Sequence, residues 1–350
     1  MQEVSDLIFV RRTKPDALRP SGFHTFLVVL ICWTALSASL SVWIPLQFSI
    51  VTVFLLAGPH NWFELRYFLT RLPVRFGKSR PFFLSAFTGL GILTITYVSL
   101  PFLYRSVILS DEQWTNVLAV WNSLLLVWIG LLIWLRWRQK KKDLGLAVPV
   151  LLGIGALNWL QPDGFSLGLV YLHPLVALWF LDLHLRRTRP SLVKAYRGCL
   201  MALPLVLGLM ILQTATTQSL NDNNGLFWRI SQHSGAQLLP QVSSHLLVTI
   251  HVFLEMLHYA VWILALPLLA PIVNSANIDR DSLSSLWKIP VARHPRGFPR
   301  VVFGMLSIGA LLVVGLWVGF TYDYSTARDI YFTLAIAHVL AEAPFLLRML

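Results

Sequence analysis

The sequence predicts an all-α, polytopic integral membrane protein of about ten transmembrane helices with both termini cytoplasmic. Three observations carry that reading. Apolar runs long enough to cross the ~30 Å hydrocarbon core of a bilayer as a helix recur along all 350 residues. Only 13% of the residues are charged and 56% are hydrophobic, whereas a soluble domain carries about 25% charge. The 28 lysines and arginines gather at the ends of the apolar runs, which is the distribution that orients membrane helices. The short alternating segments of a membrane β-barrel are absent from the sequence.

Composition also narrows function. A net charge of +12 would suit nucleic acid, but its placement beside the spans points to membrane lipid instead. Cys32 and Cys199 both fall in apolar runs, so neither a disulfide framework nor a thiolate metal site is expected. The chain reads as a single transmembrane domain over 1–350, with no internal repeat of the solenoid type.

In chain order, residues 1–22 form a basic tail, expected in the cytoplasm. The first span runs from His24 to Trp43. Its Ala35-Leu36-Ser37-Ala38 is similar to a signal-peptidase site. The run is longer than the roughly 7–15 apolar residues of a secretion signal, so it reads as a retained helix. Further spans are expected at about 47–72, 81–104, 114–136, 144–161, 165–185, 195–215, 245–270, 300–320 and 329–350. With the N-terminus inside, 25 of the 28 basic residues lie on the inner side, and only Arg105, Arg229 and Arg328 lie outside. The loop 216–244 is then outer, with an amphipathic centre from Leu226 to Ile230 expected on the interface. The loop 272–299, rich in Pro, Asp and Arg, is inner.

The chemistry concentrates in spans two, six, eight and ten. The chain has five glutamates: Glu3, Glu64, Glu112, Glu255 and Glu342. Three of them follow a histidine by four residues, as His60/Glu64, His251/Glu255 and His338/Glu342. With 10 histidines in 350 residues, any one glutamate has only about a 3% chance of that spacing. The i, i+4 spacing stacks both side chains on one helical face, and His258 shares the face of His251 and Glu255. His173, just before Pro174, falls at similar depth in span six. Ionisable groups at mid-membrane cost several kcal/mol unless they are paired, wetted or metal-bound. All four spans run from outside to inside, so packing them together would set a histidine layer about 6 Å outward of a glutamate layer.

One intramembrane His–Glu pair reads first as a hydrogen-bonded clamp between helices. Three pairs plus His173 favour a metal centre. His60, His173, His251, His258 and His338 are the expected ligands. Glu64, Glu255 and Glu342 would orient the imidazoles or complete the ligand set. Imidazole and carboxylate without thiolate suit non-haem iron, with manganese, zinc and copper as alternatives. Di-iron carboxylate bundles use two Glu-x-x-His motifs, and this chain has one, Glu255 to His258. Other polar residues read as bland. Asp182 and His184, beside Arg186 and Arg187, suit the cytoplasmic headgroups. His233 reads as a solvated loop residue and His245 as interfacial, while His24 and His294 lie in basic flanks. Tyr67 and Trp262 read as packing.

The stretch Gly58-Pro59-His60-Asn61-Trp62-Phe63-Glu64 resembles a motif of the Brp/Blh membrane carotene dioxygenases, a Pro-His followed by an acidic residue four after the histidine. It departs in having Glu for Asp and Asn-Trp after the histidine, and the later histidines do not align. The resemblance spans seven residues and bears on His60 and Glu64 alone. It implies non-haem iron and a lipophilic substrate.

The leading expectation is therefore a membrane-embedded, iron-dependent oxygenase, desaturase or hydroxylase. Its substrate would be a lipid-soluble molecule such as a carotenoid, quinone or acyl lipid. The first alternative is b-type haem between two of the histidines, exchanging electrons with quinone. The second is a proton-coupled or metal-ion transporter; the sequence lacks the matched broken helices that would favour it.

Overall fold

The computed structural model describes residues 20–73, 76–106, 109–140, 145–220, 225–269, 289 and 298–350. These residues form eleven helices and no strand. In order they are α1 (Pro20–Trp43), α2 (Pro45–Arg71), α3 (Arg80–Ser106), α4 (Asp111–Lys140), α5 (Ala147–Leu160), α6 (Pro162–Thr188), α7 (Pro190–Thr214), α8 (Gly225–His233), α9 (Ser244–Leu269), α10 (Pro299–Tyr322) and α11 (Tyr324–Met349). The tail 1–22 lies outside the described residues up to position 19. The inner loop 272–299, with His294, lies outside them except for Ile289 and the start of α10.

The chain is an all-α, polytopic membrane protein. Eight of the described helices are long and apolar enough to cross a bilayer, against the ten spans expected. The two others are α2 and α5. α2 has 27 residues, ample length, but its second half holds His60, Asn61, Glu64, Arg66 and Arg71, which dilute its hydropathy. α5 has 14 residues and reaches only about 21 Å at 1.5 Å per residue, short of the hydrocarbon core.

Local chemistry sets the helix ends. Proline stands in the first turn of α2, α6, α7 and α10, where its missing N–H has no partner to lose and its fixed φ suits a helix. Asp323 caps α11 by accepting from the Thr326 amide at 3.1 Å. The Thr326 hydroxyl, and then this amide bond, hold its carboxyl below the usual aspartate range.

α9 is the central helix. Its most apolar stretch is 78% buried, against 11% in α7 and α10. α2, α6, α1 and α7 pack around it, and α11 closes the far side through α2 and α6. Close approach needs small residues at crossings. A side chain at Gly58 of α2 would meet Val313 of α10 at 3.0 Å, and Gly89 of α3 leaves the space that the Trp128 indole of α4 fills. The short α5 is tied in by buried amides. Asn122 donates to Asn158 at 2.8 Å, and Asn158 donates to the Ala119 carbonyl at 2.8 Å.

Helices α2, α6, α9 and α11 run parallel in common register. His60, His173, His258 and His338 meet at one level. Seven or eight residues further on, Phe68 and Phe345 stack at 4.2 Å. Phe180, seven after His173, meets Trp262 at 5.4 Å. Just past His258, residues Ala260–Ala265 form a π-helical turn, a local widening found most often at functional positions.

Candidate functional site

His60 is presented by α2 one residue after Pro59. Its Nδ1 lies 3.1 Å from the Leu56 carbonyl, which requires the proton on Nδ1 and leaves Nε2 as a lone-pair donor. That Nε2 is buried with no hydrogen-bond partner. His173 of α6 has its Nδ1 3.3 Å from Glu342 Oε2, close but without hydrogen-bond alignment. Its Nε2 points the other way, to His338 Nε2 at 3.2 Å. His258 of α9 has both nitrogens buried without a partner.

The four rings form one cluster. His258 lies 5.2 Å from His60, 4.4 Å from His173 and 5.9 Å from His338 by ring centroids. His338 lies 5.2 Å from His60 and 5.1 Å from His173. Two overlapping donor groups result. His60, Glu64, His258 and His338 offer ligand atoms within 4.8 Å of one another, and so do His173, His258 and Glu342. Glu64 and Glu342 are each 1% exposed, and all four of their carboxylate oxygens lack hydrogen-bond partners. Bare carboxylates and bare imidazole nitrogens at that depth are costly.

The 3.2 Å between the His173 and His338 Nε2 atoms admits two accounts. One is an N–H···N hydrogen bond. The other is two ligands of one ion. At metal–nitrogen bonds of about 2.0–2.1 Å in tetrahedral geometry, two donors stand roughly 3.3 Å apart.

The structure does not bring every expected site residue to this point. His251 and Glu255 lie outside both donor groups. His251 precedes His258 by seven residues, about 10 Å along the axis. It pairs with Glu255 only at 3.9 Å, and its ring sits 5.1 Å from His233 and 5.8 Å from Tyr171. His233, expected in solvent, instead packs against Phe332 at 4.2 Å, because α8 folds onto the bundle through Ile230 and Leu226. Burial there holds the His233 imidazole well below the usual histidine range.

No family model, curated protein or solved structure matches the chain. The site is therefore read from its own residues alone.

Two other expectations shift. Asp182 keeps its charge-pairing role, with Arg186 at 2.7 Å and Arg197 at 2.9 Å. His184 does not face headgroups: it is buried and bonded to the Tyr67 hydroxyl at 2.7 Å. Tyr67 is thus a polar tie between α2 and α6 as well as packing. Trp262 is packed as expected, among Tyr67, Phe68 and Phe180.

Arg328 was missed. Counted as an outer basic residue, it is 3% exposed, lies over the Phe332 ring at 4.6 Å, and acts electrostatically on His251 and Glu255. A signal was present. Arg328, Tyr331, Ala335, His338 and Glu342 follow the three- and four-residue spacing of a single helical face.

A cavity of about 150 Å³ touches the histidine cluster and extends from it. Its lining includes the polar His233, His251, Glu255 and Tyr259 and the apolar Trp121, Leu169, Val170 and Ile336.

Proposed function

We propose that this protein is a membrane-embedded metalloenzyme, a non-haem iron oxidoreductase of the oxygenase, desaturase or hydroxylase kind acting on a lipid-soluble substrate. One observation carries the reading. Three imidazoles, His60, His173 and His338, turn Nε2 inward, and for His60 and His173 the other nitrogen faces an oxygen acceptor. Metal-bound histidines show this arrangement, because an acceptor on the far nitrogen fixes the tautomer and raises ligand basicity. His258 completes the set with a free nitrogen.

The donor set fits a divalent ion. Glu64 and Glu342 together would offset its charge within an apolar shell, relieving the cost of two bare carboxylates. Imidazole and carboxylate without sulfur suit iron, and equally allow manganese, zinc or copper. A bound iron would supply O₂ and one-electron chemistry. The chain's own part is to hold the four imidazoles, to exclude water with the surrounding aromatic and aliphatic side chains, and to keep Glu64 available to exchange a proton. Haem fits less well. A macrocycle between two axial imidazoles would need the space filled by the other two rings.

Substitution separates this from a purely structural cluster. His258→Ala and His338→Ala proteins are expected to lose at least nine-tenths of their bound metal, and His251→Ala protein to keep it. Full metal content in the first two would sink the assignment.

A further inference from the structure

The His233, His251 and Glu255 part of the cavity lining belongs to neither donor group, yet it is built from buried polar residues. Glu255 lines the cavity, is 9% exposed, and its Oε2 has no hydrogen-bond partner. His251 lines it too, with its Nδ1 3.9 Å from Glu255, too far for a hydrogen bond. Neighbouring groups are already engaged: the Tyr331 hydroxyl sits with Asn61 and Tyr259.

The apolar part of the lining has the reverse character. The Trp121 N–H is used up on the Leu93 carbonyl and the Thr96 hydroxyl, both at 3.2 Å. The Ser166 hydroxyl is bonded to the Pro162 carbonyl at 3.1 Å. These residues therefore offer indole and aliphatic surface. The histidine cluster lines the same cavity.

We propose that this chamber binds a lipid with one uncharged hydrogen-bonding end, an alcohol or carbonyl. Its polar end meets Glu255 and His251, and its hydrocarbon lies on Trp121, Leu169 and Ile336, passing the cluster. The inference rests on the metalloenzyme reading for the substrate's role, although binding itself does not need the metal. Charge selects the end group. Arg328 acts electrostatically on Glu255 from outside the cavity lining, so the two charges offset each other and an end group with no charge of its own is the one that fits. An alcohol donates to the Glu255 oxygen and accepts from His251, leaving neither bare.

The test uses a ten-carbon alcohol carrying a diazirine near its methyl end, photolysed with the purified full chain. Cross-links are expected on the peptides holding Trp121, Leu169 and Ile336. 1-Decanol is expected to compete at least ten-fold better than decane or decanoate. Glu255→Leu and His251→Phe proteins are expected to be labelled several-fold less. Equal competition by decane, or unchanged labelling in both variants, would overturn the proposal. So would labelling confined to the lipid-facing surface. Metal content is measured on the same samples. Selective labelling of a chain that binds no metal would refute the metalloenzyme reading and leave this chamber standing.

Discussion

At the scale of single residues, depth and spacing in the sequence were enough to single out His60, His173, His258 and His338, because buried ionisable groups are rare in an apolar run. The same signal singled out His251, which the fold keeps apart. Nothing in one helix could decide between them. His251 and His258 share a face but lie about 10 Å apart along it, and only the register of α2, α6 and α11 selects which one joins the cluster. Arg328 escaped notice because it stands at a span end, where arginine ordinarily reaches for headgroups. Glu342 is the residue that best tests how the ligands are held. Its Oε2 lies 3.3 Å from the His173 Nδ1, so on the proposed reading Glu342→Gln is expected to weaken metal affinity about 10–100-fold, the usual effect of removing a partner that orients a ligand. Competition with a chelator of known affinity measures this, and an unchanged affinity would show that the His173 ring is positioned by packing alone.

At the scale of elements, hydropathy located all eight of the described helices that are long and apolar enough to cross, and counted two more. α5 looked like a span because it is apolar throughout, but it is too short, and a buried amide pair, Asn122 of α4 and its own Asn158, holds it. α2 looked like a span and is one in length, yet its polar half serves the site instead of the lipid. The outer loop was read as interfacial from its amphipathic pattern. That pattern is real, but its apolar face meets α9. Helix crossings are where sequence says least, since a glycine in a membrane helix has no periodic signature. Gly89 is the clearest case, because the Trp128 indole occupies the place of its missing side chain. Gly89→Val is expected to lower stability by about 1–3 kcal/mol through overpacking, seen as a lower melting temperature in detergent. Gly91→Val, two residues on and about 200° round the helix, with open space around it, is the control. Equal effects at the two positions would mean that the α3–α4 contact is not as described.

At the scale of the whole molecule, four parallel helices bring one histidine each to a common level, and two of them add a buried carboxylate one turn deeper. α8 packs on α9, and the cavity brings polar and apolar lining together beside the cluster. Each feature alone has a bland explanation in helix packing. Together they describe a centre that is polar, enclosed and short of hydrogen-bond partners, which is the condition that a bound cation relieves. The most direct test is metal analysis with a visible spectrum on detergent-purified wild-type protein. About one iron, or another divalent first-row ion, per chain with no Soret band is the expected result. A Soret band would replace the reading with haem. Protein that carries no metal and takes up neither iron nor zinc would contradict it, and the histidines and glutamates would then be a structural or proton-carrying network.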